Sequence, residues 1–545
     1  MKRFLAVLLA ILLMLSFAAC GKNEPAEQNT PAEESASEKE ESSAEGEPAS
    51  DAVDSVVIAI TKDENSLTPY TYVSSTGTVV NRLIYDTLFT TDLENNIVPW
   101  MVEDDYKIED GYKSYTFTLI EGQKFHDGTP VTTADIEWTF THQKKNSDQI
   151  ESIEIADDRT MTIRLKASDM NYMRNTLVET RIICKAQYEN VEDPATVNDP
   201  IGSGMYRLKE YKVGEYYIFE AMEDYFKGAP KVKTINMPIM EDASAVQTAL
   251  LSDQIAAATS SIGIEMIDTF KAKEGIEILA GAGYGPMVMN FNNGTAPFDD
   301  PAFRNALTYA IDVKGIMQTL YGEYCTVGTK GIIRPDMPYA VAGLDYVYDT
   351  EKANAILDEA GYALGADGIR IDKNGDPCNV EILVYSGSTA RIRAAELAKE
   401  QLKAIGVNME VKVMEMDTVD AYVWPDFDVA QGRDYDAAMW GWGTSIRPNF
   451  LATLLSSDYI IGNCNVCGYQ SDAMDAIVTG AYANAQTEEE LYAALGDMQK
   501  LAAEDPSLIC FGFADSLQAC NTKLYDGFKA GKGVNVVNIY SFLDI

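Results

Sequence analysis

The sequence predicts an α/β protein built from more than one lobe. After a polar leader, the body runs from Ser55 to Ile545, which is too long for a single hydrophobic core. Hydrophobic residues make up 46% of the chain and aromatic residues 10%, as expected of a well-packed globular protein. Near residue 380 the pattern becomes strand–helix–strand, and this order implies a right-handed crossover in a largely parallel sheet.

The amino terminus has the pattern of a secretory signal. Lys2 and Arg3 precede an apolar run that ends at Phe17, and small residues lead to Cys20. The run is shorter than the roughly 20 residues that a membrane-spanning helix needs. We expect residues 1–19 to be a lipoprotein signal peptide and Cys20 to carry two acyl chains, which suffice for stable membrane attachment. An ordinary signal followed by an incidental cysteine is the alternative.

A polar linker follows the signal. Residues 20–54 contain no aromatic residue, and Glu, Ser, Ala and Pro dominate them. Such a segment cannot bury enough apolar surface to offset its ordering entropy, and its like charges repel and extend it. We expect a disordered acidic linker that holds the body outside the cell, on the outer face of the cytoplasmic membrane.

The first half of the body reads as short strands alternating with helices. Apolar residues recur at spacings of three and four over residues 77–89, which predicts an amphipathic helix there. A turn at Asp127-Gly128 precedes a predicted helix that begins near Thr133. Short strands are predicted at Ser55–Thr61, Tyr115–Ile120 and Thr162–Leu165.

The second half carries the clearest helix signals. Pro301 follows two aspartates and occupies a first helical position. A helix is predicted over 349–361, where a glycine ends it. The strand–helix–strand unit is predicted as Val380–Tyr385, Thr389–Ile405 and Met409–Met414, with Gly406 stopping its helix.

Charge and motifs exclude several classes of function. The net charge of −41 argues against a nucleic-acid partner and disfavours long-range attraction of anionic ligands, although one local Arg in a pocket can override the latter. The sequence has no H-E-x-x-H, no G-x-S-x-G and no phosphate loop, so we assign no catalytic residue and no cofactor. A carboxylate pair of the glycosidase type stays open, since Asp and Glu are numerous.

Metal-ligating residues are scarce. The chain has only two histidines, His126 and His142, whereas a zinc site needs about four ligands. Cys464 and Cys467 form a lone C-x-x-C, for which a local disulfide or two free thiols are the favoured readings over a redox site. We therefore assign no metal site.

Two tryptophans mark a candidate ligand wall. The segment Asp436–Trp442 reads as a strand, so Trp440 and Trp442, two apart, project from one face. Gly443 then breaks the strand. Ligand clefts in open α/β sheets lie at the carboxyl ends of strands, which favours a ligand wall made of the two indoles. We expect Trp442→Ala to weaken ligand binding without unfolding the body. The alternative is that one or both rings belong to the core.

Several motifs, in order along the body, resemble those of the extracellular solute-binding proteins of ABC importers, in the dipeptide, oligopeptide and nickel class. YTFTLIEGQKFHDGTPVTTADIEWTF resembles the signature stretch of that family, and DYDAAMWGW resembles its Y-D-x-x-x-x-G-W strand. DDPAFRNALTYAID and YDTEKANAILDEAGY are similar to two of its helices. IGSGMYRL is similar to its G-T-G-P-Y turn, from which Ser203 and Met205 depart.

The resemblance implies a two-lobed, periplasmic-binding-protein-like fold of type II, with an extra α/β domain in the first lobe. The first lobe would comprise 55–91, 200–284 and 512–545, the extra domain 92–199 and the second lobe 285–511. The chain would cross between the lobes near Tyr284 and again near Phe511. Glycines in both stretches would absorb a closure rotation.

The resemblance also implies capture of a small solute by lobe closure and delivery to an ABC permease, by a monomer that is not an enzyme. Peptide-binding members pair the peptide's amino group with an acidic residue after the Gly-Trp, but here GTSIRP follows and holds no carboxylate. A peptide is the favoured ligand, with a nickel chelate or an oligosaccharide open. A ligand-sensing lipoprotein and a secreted hydrolase are less favoured functions that also stay open. The residues expected to contact the ligand are Tyr70, Tyr72, Tyr284, Trp440, Trp442, Gly443, Thr444, Ser445 and Arg447.

Overall fold

The computed structural model describes residues 53–64, 67–70, 75–142, 147–442, 449–457 and 464–545. The predicted signal, Cys20 and the linker up to residue 52 lie outside these ranges. Within them, the strands are β1 (Val53–Ala59), β2 (Phe89–Thr91), β3 (Ile97–Pro99), β4 (Lys107–Glu109), β5 (Ser114–Thr118), β6 (Ile150–Ile155), β7 (Thr160–Leu165), β8 (Tyr206–Lys212), β9 (Tyr216–Ala221), β10 (Val232–Pro238), β11 (Ala257–Ala258), β12 (Ile276–Gly281), β13 (Pro286–Phe291), β14 (Cys325–Val327), β15 (Asn379–Tyr385), β16 (Asn408–Met414), β17 (Ala437–Gly441), β18 (Leu508–Ala514) and β19 (Ser516–Asn521).

The α-helices found in the same ranges are α1 (Ser75–Ile84), α2 (Thr133–His142), α3 (Lys185–Tyr188), α4 (Ala243–Leu251), α5 (Ile267–Lys271), α6 (Pro301–Ala310), α7 (Val313–Tyr321), α8 (Thr350–Glu359), α9 (Thr389–Leu402), α10 (Met416–Val423), α11 (Asn449–Leu455), α12 (Asp472–Ile477), α13 (Glu488–Glu504) and α14 (Ile539–Phe542). None of the helices in the described part of the chain combines the length and the apolarity that a membrane crossing requires.

Two sheets organise the first part of the body. A five-stranded sheet has the order β11-β1-β10-β9-β8, in which β1 runs parallel to both β10 and β11. A four-stranded antiparallel sheet follows the order β4-β5-β7-β6. The strands predicted near Ser55, Tyr115 and Thr162 are thereby confirmed as β1, β5 and β7, and α2 begins at Thr133 as predicted.

The helix predicted over 77–89 ends earlier than expected. It stops at Ile84, and Phe89 instead begins β2, which pairs with β3. The Leu88 carbonyl accepts the backbone N–H groups of Trp100 and Met101, so this backbone belongs to a hairpin rather than to a helix. Leu88 and Phe89 are buried all the same. Their apolar spacing therefore fitted a helix, although Leu88 precedes β2 and Phe89 begins it.

A six-stranded sheet with the order β14-β18-β13-β17-β15-β16 organises the rest. The unit β15–α9–β16 confirms the predicted crossover, because β15 pairs in parallel with β16 and with β17. The sheet as a whole is mixed, and the prediction of a largely parallel sheet was wrong. β13 pairs antiparallel with β17 and β18, and β14 with β18. The reason is topological. The chain enters this sheet along β13 and leaves it along the neighbouring strand β18, so these two strands run in opposite directions.

Helix ends follow the local chemistry that the sequence indicated. Asp300, before Pro301, accepts the backbone N–H of Ala302 and caps α6. Asp349 caps α8 in the same way, and the helix ends just before Gly361, whose φ is +89°. Gly406 ends the helical turn after α9 with φ +74°, in the left-handed region that glycine adopts without strain.

Buried apolar residues divide between the two parts of the chain. We define the first core cluster by members such as Val56, Phe117, Phe219 and Val536. The second and third core clusters cover opposite faces of the six-stranded sheet, because alternate residues of β17 join them: Ala438 and Trp440 the second, Ala437 and Met439 the third. Every buried member of the second and third clusters lies between Tyr284 and Phe513, and the first cluster has none in that interval.

Candidate ligand-binding site

One edge of the six-stranded sheet, the one formed by the carboxyl ends of β15 and β17 rather than by an outer strand, brings together the features expected of a ligand site. The parallel strands β15 and β17 both end at this edge. β13 begins there, since Met287 lies opposite Gly441 and the backbone N–H of Trp442 donates to the Pro286 carbonyl (3.2 Å). β18 also ends there, because Pro286 lies opposite Phe513. The two passages of the chain into and out of this sheet therefore flank the carboxyl ends at which α/β folds bind ligands.

Trp440 and Trp442 lie on one face of β17, as predicted. Both belong to the second core cluster, and their ring centroids are 6.0 Å apart. Trp442 also contacts Trp424 edge-on at 5.4 Å and Phe450 at 6.4 Å. The exposed fractions of Trp440 and Trp442 are only 5% and 8%, so both rings are packed into the aromatic core at this edge.

The polar atom of Trp442 lacks a partner. Its Nε1 is buried and makes no hydrogen bond to any of the described residues. A buried donor left in this state costs about 1–3 kcal/mol, and such groups in native proteins call for an explanation. An acceptor supplied by a ligand at this edge would satisfy the indole N–H.

Tyr284 sits where the chain passes into β13. It is buried in the second core cluster, and burial raises the pKa of its phenol. The Arg334 guanidinium lies 5.2 Å from the centre of its ring, a distance suited to a cation–π interaction. Arg334 also donates to the Gly283 carbonyl through Nη1 (2.6 Å) and pairs with Asp336 through Nε (2.9 Å). Arg334 therefore holds the segment that leads into β13 through its contacts with Gly283 and Tyr284.

Tyr70 lies in different surroundings from the two tryptophans. It packs against the first core cluster, with its ring 5.1 Å from that of Tyr188. Burial raises the pKa of Tyr70 to about 12. No ring contact recorded for the described residues joins Tyr70 to Trp440 or Trp442. The structure thus groups Tyr284 with the tryptophans in one cluster and leaves Tyr70 in another.

The remaining predicted contacts fall where the structure makes no description. Tyr72 lies in the gap at 71–74, and Gly443, Thr444, Ser445 and Arg447 lie in the gap at 443–448. Their roles stay predictions.

Comparison with known proteins decides the family. Residues 96–460 match the profile of the bacterial extracellular solute-binding proteins, family 5, middle region. The chain belongs to this family. The oligopeptide-binding protein AppA of Bacillus subtilis (strain 168) is 25% identical over 474 residues, which cover 79% of this chain and 84% of AppA. The nickel-binding periplasmic protein of Escherichia coli (strain K12) is 25% identical over 376 residues, which cover 66% of this chain and 71% of that protein.

Solved structures confirm the fold of this family 5 protein. The ABC transporter substrate-binding protein CtaP of Listeria monocytogenes superposes with a TM-score of 0.80 at 21% identity, over 90% of this chain and 99% of CtaP. AppA of Bacillus subtilis in complex with a nonapeptide gives 0.71 at 23% identity, over 90% of this chain and 99% of AppA. The predicted periplasmic-binding-protein-like architecture is confirmed. Family 5 proteins act outside the cytoplasm.

His126 of this family 5 protein is held between two backbone groups. His126 Nδ1 accepts the backbone N–H of Gly202 (3.3 Å), and Nε2 lies 3.0 Å from the Gly204 carbonyl. Burial lowers the pKa of His126 to about 4. His142 stacks on Trp138 with ring centroids 3.5 Å apart. His126 therefore joins two backbone segments and has no ring nitrogen left for a substrate.

The C-x-x-C pair consists of two free thiols, one of the two readings favoured from sequence. The Cys467 thiol donates to the Asn290 Oδ1 (3.5 Å), and burial raises its pKa to about 12. No group of three or more metal-ligating side chains occurs in the ranges that the structure describes.

Sequence reasoning missed a contact between distant segments of this family 5 protein. Gln486 donates through Nε2 to Ser168 Oγ (3.2 Å), and Met170 packs against the second core cluster. Residues expected in the extra domain thereby touch residues expected in the second lobe. No motif marks either segment, so only their proximity in the fold reveals the contact. Arg334 was missed as well, although an arginine inside the apolar stretch GIIRP is a signal of a buried charge.

Proposed function

We propose that this protein captures a peptide outside the cytoplasmic membrane by closing two lobes around it, and that it delivers the peptide to an ABC permease. The proposal rests on one observation: β13 begins, β18 ends and the two tryptophans lie at the same edge of the six-stranded sheet. Membership of family 5 supports it, as does the relative AppA, which was solved with a nonapeptide bound.

The proposed lobes keep the boundaries that the resemblance implies: 55–91, 200–284 and 512–545 for the first, 92–199 for its extra domain and 285–511 for the second. The division of the core clusters near Tyr284 and Phe513 supports these limits. The two crossings also touch: a Cβ on Gly283 would lie 1.9 Å from the Ala514 carbonyl oxygen. Gly512 has φ +148°, a backbone conformation that favours glycine. Two adjacent crossings with such glycines suit a hinge.

Closure then follows from differential affinity. A ligand that contacts both lobes binds the closed form more tightly than the open form and shifts the population toward it. Trp440, Trp442, Tyr284 and the loop 443–447 would form the wall of the second lobe, with Tyr70 and Tyr72 reaching the ligand from the first. Contacts such as that between Ser168 and Gln486 would add to the closed state.

A nickel chelate is the second candidate. The loop after Trp442 has no carboxylate to pair with a peptide amino group and carries Arg447 instead. The nickel-binding relative of Escherichia coli shows that metal capture occurs among proteins similar to this chain. A chelate would enter as cargo, held by its organic ligand.

Anchoring and assembly complete the proposal. We propose that Cys20 is lipidated and that the protein acts as a monomer, without catalysing a reaction. The signal pattern before Cys20 supports the anchor, and membership of a family of binding proteins supports the absence of an enzymatic role.

Thermal unfolding of the purified protein tests the choice of ligand. A synthetic tripeptide library with free termini is expected to raise Tm, because a ligand that binds only the native state stabilises it by mass action. A nickel–histidine mixture is expected to leave Tm unchanged. Small-angle scattering with the same library should show a smaller radius of gyration. A rise in Tm with nickel–histidine and none with peptides would replace the first candidate by the second, and an unchanged radius on binding would refute closure.

A further inference from the structure

Arg334, in the proposed second lobe, contacts both segments that connect the two proposed lobes. Its Nη1 donates to the Gly283 carbonyl (2.6 Å), and its guanidinium lies 5.2 Å from the ring centre of Tyr284. These two residues belong to the first crossing. On the second crossing, the guanidinium lies 6.0 Å from the ring centre of Phe513, and Nη1 lies 3.8 Å from Asp515 Oδ1. One side chain thereby joins the two crossings.

A guanidinium is chemically suited to this position. Its faces attract aromatic rings, while the N–H groups in its plane donate to oxygen atoms. A hydrogen bond from a charged donor to a carbonyl is stronger than one between neutral groups. Arg334 is only 7% exposed, so solvent screens these contacts less than it would at the surface. The contacts of Arg334 are therefore strong enough to influence how the crossings are arranged.

The two carboxylates near Arg334 differ in their relation to the hinge. Asp336 pairs with Nε at 2.9 Å and follows Arg334 by two residues, so the two move together as parts of the second lobe. Asp515 lies beyond the second crossing, in the proposed first lobe. Burial raises the pKa of Asp515, and the charge of Arg334 opposes that rise. A rotation of the lobes would move Arg334 relative to Asp515 and Gly283 but not relative to Asp336.

Other contacts indicate that the described conformation is a closed one. Gln486 Nε2 donates to Ser168 Oγ (3.2 Å), and a Cβ on Gly111 would lie 2.5 Å from Gln486 Oε1. Met170 packs against the second core cluster. These contacts join the proposed extra domain of the first lobe to the second lobe, through residues other than those of the crossings. The contacts of Arg334 across the hinge thus belong to a conformation in which the lobes also touch elsewhere.

From these observations we infer that Arg334 is a positioning residue for ligand capture, which favours the closed form by joining the second lobe to Gly283 and Asp515 across the hinge. The inference rests on the proposed function and deepens it. The observed affinity of a ligand falls with the fraction of the protein in the binding-competent form. A contact that favours the closed form therefore raises affinity, and part of the affinity is set at the hinge rather than by the groups that surround the ligand.

A matched pair of substitutions tests this role. Asp515→Asn and Asp336→Asn each remove a carboxylate partner of Arg334, but only Asp515 lies across the hinge. A tripeptide library with free termini is titrated into each purified protein, and the rise in Tm above the peptide-free value of the same protein is followed. Asp515→Asn is expected to need about fivefold more peptide for the same rise. Asp336→Asn should need the same amount as the unsubstituted protein.

Substitution of the arginine itself provides a second test. Arg334→Met is expected to need about tenfold more peptide or still more, because it loses the charged donor to Gly283 as well. Arg334→Lys keeps the charge and should recover part of the loss. Small-angle scattering along the same titrations reports the lobes directly. Arg334→Met should reach the compact radius of the unsubstituted protein, but only at the higher peptide concentration, whereas a purely structural role would leave the concentration for compaction unchanged.

The outcomes separate this inference from the proposed function. Equal peptide requirements of Asp515→Asn and Asp336→Asn, or compaction of Arg334→Met at the concentration that the unsubstituted protein needs, would overturn the positioning role and leave peptide capture standing. Neither a rise in Tm nor compaction of the unsubstituted protein would overturn peptide capture, and with it the role of Arg334. Circular dichroism without peptide checks that each variant is folded. If Arg334→Met fails to fold, the two aspartate variants decide.

Discussion

The substitution Trp442→Phe separates a role in ligand binding from a role in the core. Phenylalanine keeps a ring near Trp424 and Phe450 but removes the Nε1 donor, which has no partner among the described residues. The smaller ring leaves a cavity of about 40 Å³, which costs about 1 kcal/mol at 24 cal/mol per Å³. Removal of an unsatisfied buried donor returns about 1–3 kcal/mol. The two effects largely offset each other, so the free energy of unfolding without ligand should rise by about 0–2 kcal/mol.

Ligand binding should respond more strongly than stability. If the ligand accepts a hydrogen bond from Nε1, its loss costs about 1.5 kcal/mol of binding free energy, which is roughly a tenfold weaker affinity. By contrast, Trp442→Ala empties a site that is 8% exposed and should cost about 3–5 kcal/mol of stability. The burial of Trp442 therefore makes alanine a poor probe, contrary to the expectation from sequence that it would spare the fold.

Urea unfolding without peptide and thermal titration with the tripeptide library that has free termini measure the two quantities. Trp440→Phe is the control, since Trp440 lies on the same strand and is buried to a similar degree. Because Trp440 also belongs to the proposed wall but its Nε1 is not among the buried atoms without a partner, Trp440→Phe should weaken the affinity less than Trp442→Phe does. An unchanged affinity for Trp442→Phe would refute the role of Nε1. A loss of more than about 3 kcal/mol of stability would refute the offset between cavity and donor.

Three further predictions concern stability and location. Arg304→Met removes a buried guanidinium that donates to the Pro506 and Phe298 carbonyls and pairs with the partly exposed carboxylate of Asp505; it should lower the free energy of unfolding by about 1–3 kcal/mol, measured by urea titration, and an unchanged free energy would contradict a structural role for this guanidinium. The pKa of His126 is lowered to about 4, so the folded protein should lose stability as the pH falls from about 6.5 toward 4, by about 2 kcal/mol between pH 7 and pH 5. His126→Gln should flatten that dependence, and equal slopes would count against it. Cys20→Ala should move the protein from the membrane fraction to the soluble fraction after cell fractionation, and its retention in the membrane pellet would rule out a lipid anchor at this residue.

Local signals in the sequence predicted local structure well. The start of α6 at Pro301, the cap of α8 at Asp349 and the stop at Gly406 depend on groups within a few residues of each helix end. The unit β15–α9–β16 was predictable for a similar reason, because a continuous apolar strand, a helix and a second strand follow one another without interruption. In each case the side chains that decide the structure are neighbours in the chain.

Features that depend on distant pairing were not predictable. The end of α1 at Ile84 is set by a hairpin partner that begins at Ile97, and the mixed sheet by two strands more than two hundred residues apart, β13 and β18. The environment of Arg334 likewise depends on Gly283 and Asp515, which lie far from it in the chain. A sequence pattern predicts which face of a helix or strand a residue occupies, but not which distant residue it contacts. The candidate site consists of contacts between residues that are distant in the chain.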